Sequence, residues 1–244
     1  MKHVLLLNIL LACGAAALAQ TRQGVVIFER KMDVYRHLQN DQMRAMVPQF
    51  QTARYELDFR DSVSAYKAVP KDEAPDPFDG GGGHGVVIRF NGPGDGGVLF
   101  HNFGNNSLLE ETILDEKSYV IADTIHSYVW KLTDDTKTIL GHPCKKATAT
   151  GKRGVVVEAW YAVDMPVPAG PDHFCDLPGL ILMIDQDNGA VVYTAVEWRP
   201  APSARDLAPP TGSKRITRAD YNKKLDEVFG PADSLGRRTI TRTM

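Results

Sequence analysis

The sequence predicts an all-β protein: an antiparallel sheet, strongly curved or rolled into a partial barrel, followed by a short C-terminal helix and tail. Three observations carry this. Roughly a dozen short segments alternate apolar with polar residues or run apolar for a few positions, and Gly, Pro, Asn and Asp separate them. Helical periodicity is nearly absent before residue 217. The run Leu180 to Ile184 is too short for a helix and fits a strand buried on both faces.

Met1 to Gln20 reads as a secretory signal, with Lys2 and His3 ahead of an apolar run and Ala17-Leu18-Ala19 as a small-x-small cleavage site. The rival is a lipoprotein box at Leu10-Leu11-Ala12-Cys13, with Cys13 lipidated. Either way the protein is expected to be periplasmic or secreted, with no transmembrane segment in the mature chain. The division expected is a signal over 1–19, a β domain over 20–199, and a linker, helix and basic tail over 200–244. Residues 20–198 hold 17 basic and 25 acidic groups, and 199–244 hold 10 and 5. An exported, acidic body argues against nucleic acid as a partner.

The strands follow in order. Gly24 to Tyr35 alternates as a first strand, and His37 to Pro48 is a loop or short helix. Thr52 to Val69 holds one long strand or two. Residues 70–85, with three prolines and the run Gly80 to Gly83, form a flexible excursion whose carboxylates lack the alternate spacing of a calcium loop. Strands are then expected at Val86–Phe90, Gly97–Phe103, Leu108–Leu114, Ser118–Asp123, Tyr128–Leu132, Lys137–Leu140, Cys144–Thr150 and Val155–Val163. Leu180–Asp185 and Ala190–Trp198 close the series, joined by Asn188-Gly189, a strong hairpin signal. Thr217-Arg218-Ala219-Asp220 opens a helix to Phe229 with Tyr221, Leu225, Val228 and Phe229 on one face.

Gly170-Pro171, Phe174-Cys175 and Leu177-Pro178-Gly179-Leu180-Ile181 form a turn-rich motif leading into the buried strand. Upstream stand Lys137-Thr138-Ile139-Leu140-Gly141-His142-Pro143-Cys144-Lys145-Lys146-Ala147 and Glu158-Ala159-Trp160-Tyr161 with Met165-Pro166-Val167. In this order the blocks resemble the GLPGLI family of Bacteroidota-type envelope proteins, over roughly Tyr119 to Trp198. The resemblance implies an exported, largely β fold and brings no established activity. Asp176 stands where that family has its first glycine, so a φ > 0 there would fall to Asp, and His142 replaces a tyrosine.

Cys144 and Cys175 are the cysteines that remain after cleavage, and an oxidising compartment favours a disulfide between them. The sharper alternative takes His142, Cys144, His173 and Cys175 as two His-x-Cys pairs offering a Cys2His2 set for zinc or copper. No catalytic residues are assigned. His84, His101 and His126 with Ser62, Ser107 and Ser127 lack a Gly-x-Ser-x-Gly elbow, which leaves a hydrolase as the weakest alternative. Trp130, Trp160 and Trp198 pack in the core or line an apolar groove. The function expected is therefore non-enzymatic: an envelope protein binding a protein partner or apolar ligand on the curved sheet. The basic tail is a candidate for contact with anionic lipid.

Overall fold

The structure is a computed structural model that describes residues 21–38, 40–70, 97–151, 154–200, 207–211 and 214–231. The expected signal, most of the Gly/Pro-rich excursion, the strand expected at Val86–Phe90 and the last residues lie outside this set. The described residues form twelve strands in one sheet. It is not closed, and every strand pairing among the described residues is antiparallel except that of Lys214–Thr217 with Lys117–Thr124, which is parallel. The all-β curved sheet and the C-terminal helix are as the sequence predicts.

The central strands are β1 (Gln23–Asp33), β2 (Phe50–Arg60) and β3 (Val63–Ala68). A 3-10 turn (Val34–His37) and a four-residue helix α1 (Asp41–Arg44) link the first two. On one side follow β4 (Leu99–Asn102), β5 (Ser107–Leu114) and β6 (Lys117–Thr124). On the other stand β7 (Lys131–Ile139), β8 (His142–Thr150), β9 (Val156–Ala162), β10 (Leu180–Gln186) and β11 (Val191–Arg199). β12 (Lys214–Thr217) and α2 (Arg218–Phe229) follow, and the strand order across the sheet is β12-β6-β5-β4-β3-β2-β1-β11-β10-β9-β8-β7.

Two expectations need correction. Tyr128–Leu132 and Lys137–Leu140 are not two strands around a turn at Asp134-Asp135. They give one strand, β7, whose register with β8 shifts between Leu132 and Thr136. Thr133 Oγ1 donates to the Lys146 carbonyl at 3.3 Å and accepts the Asp135 N–H at 3.3 Å, so a hydroxyl serves backbone groups where the ladder is interrupted. Tyr128 and Trp130 fall in the irregular segment before β7. The short β12 is the second difference, because Lys214 to Thr217 carries one apolar residue and no alternation to read.

Turn chemistry holds where it was expected. Asp187 and Asn188 take φ of 50° and 53° and Gly189 takes 87°, the left-handed pattern that a tight hairpin needs. Thr217 caps α2 by accepting the Asp220 N–H at 3.1 Å. The core runs across the sheet through Val26, Phe28, Tyr55, Leu57, Leu99, Ala159, Leu180, Ile184 and Tyr193, and Met165, Val167, Ala169, Phe174 and Leu177 join it from the β9–β10 connection.

Candidate functional site

The β9–β10 connection folds back on the sheet as a pinned loop. Val167 N–H bonds the Met165 carbonyl (2.8 Å), Asp176 N–H that of Pro168 (2.9 Å) and Phe174 N–H that of Pro171 (3.1 Å). Ile181 N–H closes it on Ala169 (2.9 Å). Asp172 and Asp176 sit at φ of 56° and 70°. Asp176 thus takes a left-handed φ itself, as Asp tolerates that region better than most L-residues. The motif glycines serve close approach: a Cβ on Gly179 would lie 2.0 Å from the Ala162 carbonyl oxygen, and one on Gly170 would lie 2.5 Å from that of Phe174. Pro171, Phe174, Leu177, Leu180 and Ile181 are buried, while Pro178 is exposed at the bend.

Beneath this loop lies a polar cluster that sequence reasoning missed. Asp172 is buried and accepts from Tyr193 Oη at 2.7 Å and from the His173 N–H at 2.6 Å. Tyr193 pairs in register with Arg30 of β1, a buried guanidinium lying 5.0 Å from the Tyr55 ring centroid. Tyr55 stacks on Tyr66 at 5.0 Å, and Ser64, on the same face of β3, pairs with His101 of β4. His101 in turn meets His173 edge-on at 6.3 Å. Aromatic rings seal the cluster: Phe174 packs on Tyr128 (5.2 Å) and Tyr193 (6.0 Å). Trp130 Nε1 donates to the Cys175 carbonyl at 2.9 Å. The available signal was parity, because Arg30 shares a strand face with Val26 and Phe28.

Burial sets the protonation states. It raises the Asp172 carboxyl against the pull of His173, Tyr193 and Arg30. It holds the Tyr193 and Tyr66 protons on well beyond the ordinary phenol range, and the nearby Asp172 adds to both effects. It pushes His101 down to about 3, with His173 adding to the effect, so the imidazole is neutral. Ser64 Oγ has no hydrogen-bond partner, so no Ser–His bond joins it to His101 and the pair lacks the geometry of a nucleophile and its base.

The expected cysteine and histidine sites do not assemble. Both thiols are free and buried, contrary to the expected disulfide, because different elements engage them. Cys144 Sγ donates to the His142 carbonyl at 3.4 Å, and the Cys175 thiol bonds with Ser127. Burial pushes each thiol up to about 11, which makes both poor nucleophiles. The Cys2His2 alternative fails on placement as well. His142 Nδ1 pairs with Asp164 at 2.8 Å and its ring meets Trp198, whereas His173 faces Asp172 and His101. Among the described residues no group of three or more His, Cys, Asp or Glu could hold a metal ion. His126 bonds Asp123 at 3.3 Å, and His84 lies outside the described residues.

The three tryptophans have separate settings. Trp198 stacks on Phe59 at 5.9 Å, and Trp130 lies under the loop. Trp160 lies on the opposite face of the sheet, with Lys137 Nζ 4.1 Å and Lys146 Nζ 5.9 Å from its ring centroid. Lys137 also reaches Met183 Sδ at 2.9 Å, and burial lowers its pKa. No helix among the described residues is long and apolar enough to cross a membrane.

Comparison with known proteins gives the following. The family model described as N-glycanase peptide, N-terminal domain, matches residues 101–212, less than half of the chain. It is a different family from the one the motif resembles. Two crystal structures of PNGF-II, in space groups C2 and P21, are similar at TM-score 0.55 and 16% identity, covering 83% of this chain. The chain spans about a third of their length, 32% and 33%. At that identity the likeness speaks for the fold. No curated protein matches.

Proposed function

We propose that this chain is an exported, non-enzymatic binding module that docks on a protein partner through the outer surface of its curved sheet, and that the partner is a glycosylated protein. One observation carries the first part. The apolar face of the sheet, with Val26, Phe28, Leu57 and Ile184, is covered by the chain's own β9–β10 loop, and Met165, Val167 and Ala169 are fully buried there. A lipid or other apolar ligand would have to displace that loop, so the reading favours a partner on the outside over a carried ligand. The neutral, buried His101 and the inert thiols supply no activated nucleophile, in keeping with a role in binding. The glycosylated partner is drawn from the match to an N-glycanase N-terminal domain over 101–212. Export rests on the signal-like segment Met1 to Gln20 and on the GLPGLI resemblance.

The test uses the chain from Gln20 onward with an N-glycosylated protein immobilised on a sensor surface. Saturable binding is expected, with mass spectrometry showing no glycan released after prolonged incubation. Release of glycan would overturn the non-enzymatic reading, and failure to bind the glycosylated protein would overturn the choice of partner.

A further inference from the structure

Two hydroxyls on one face of β3 lack partners in the interior. Tyr66 is fully buried and Ser64 is 1% exposed, yet neither Tyr66 Oη nor Ser64 Oγ meets a hydrogen-bonding group among the described residues. An unpaired buried hydroxyl is destabilising, and native interiors rarely leave one so. These two stand two residues apart on a strand face that is otherwise well satisfied. The elements packed on that face bring Arg30 and Tyr55 from β1 and β2, His101 from β4, Tyr193 from β11, and Asp172 and His173 from the loop. Each Asp172 carboxyl oxygen already accepts one hydrogen bond and can accept another.

We infer that bound water occupies the space between the inner face of β3 and the Gly170–Phe174 loop, hydrogen-bonded to Tyr66 Oη, Ser64 Oγ and the Asp172 carboxyl. A guest here must both accept from a phenol that keeps its proton and donate to a carboxyl oxygen. Water meets both demands, and a buried polar site with several partners is where interior water is retained. An apolar guest would leave both hydroxyls unpaired. The water then acts as a bridge: it ties the loop to β3, a strand that Asp172 does not bond directly.

A crystal structure of the full mature chain, at a resolution that shows ordered solvent, tests this. The expected result is water within hydrogen-bonding distance of both Tyr66 Oη and Ser64 Oγ. Tyr66→Phe supplies a second readout. In a wet site it removes one anchor of the bridge, so the melting temperature falls. In a dry site it removes an unsatisfied hydroxyl, so the melting temperature rises. A dry site in the crystal, direct pairing of Tyr66 Oη with a protein group, or a rise in melting temperature would each overturn the inference. Should Tyr66→Phe fail to fold, the density in the wild-type chain decides.

Discussion

The loop between β9 and β10 and the C-terminal β12–α2 unit both attach irregular chain to the same sheet, and they do so by different means. The loop is fixed by burial: its apolar side chains join the core, its glycines touch neighbouring backbone, and two aspartates hold left-handed φ. The C-terminal unit has a four-residue parallel strand and a helix with no buried residue. Its hold on the body is largely polar. Arg218 bonds Glu110 and reaches Asp123 at 3.3 Å, and Lys224 lies 5.9 Å from the Tyr119 ring centroid. Close-packed attachment is stiff and fails all at once, whereas charged attachment is cheap to open locally.

The largest break in this contrast is expected from Gly179→Ala. A Cβ at 2.0 Å from a backbone oxygen has no flexible side chain to push aside, so the loop must leave β9. We expect a loss of about 3 kcal/mol or more, read by chemical denaturation, with little soluble protein recovered. A fully stable Gly179→Ala would show that the loop is not held by close approach.

Acid is the next lever. His101 titrates at 6.5 when unfolded and is held down to about 3 when folded, so the unfolded chain binds the extra proton in that window. Stability is therefore complete above about pH 6.5 and is lost as pH falls; between about pH 7 and pH 5 the expected loss is about 2 kcal/mol. The raised Asp172 carboxyl works in the opposite direction as pH rises. His101→Phe should flatten the acid limb of the stability–pH curve, and an unchanged limb would place the proton elsewhere.

Removing one hydroxyl at the loop is a smaller perturbation. Tyr193→Phe deletes the 2.7 Å bond to Asp172 and should cost about 1.5 kcal/mol, with faster amide exchange at His173 as the local signature. The smallest global effect belongs to Arg218→Ala. Its pairs are partly solvated, so the melting of the body should shift by less than about 1 kcal/mol. Hydrogen exchange over Lys214 to Phe229 should nevertheless accelerate strongly. A large global loss would mean that the C-terminal unit is part of the cooperative core.

The same contrast marks what a reader of the sequence could see. Strand positions, the Asn188-Gly189 turn and the Thr217 cap were legible because each is written in adjacent residues. The left-handed φ of Asp176 falls where the turn-rich motif, with Pro171, Pro178 and Gly179, already marks a bend. The polar cluster was not legible, since Arg30, Tyr66, His101 and Asp172 come from four distant segments, the first three gathered by strand register and Asp172 by the fold of its loop. The two cysteines misled for a related reason. Their number suggested a bond, but thiol pairing depends on where two side chains point, and here each finds a different neighbour. β7 was split at Asp134-Asp135 because turn residues within a bulge look like a turn.

The strand order has a further consequence. The chain leaves β11 beside β1 and rejoins the sheet at its far margin, seven places away, with residues 200–213 to make the crossing. β12 therefore pairs in parallel with a strand laid down long before it, Lys214 against Tyr119 and Thr217 against Ala122. No tight hairpin can bring such a pair together, so β12 and the terminal helix can dock only once β6 is in place.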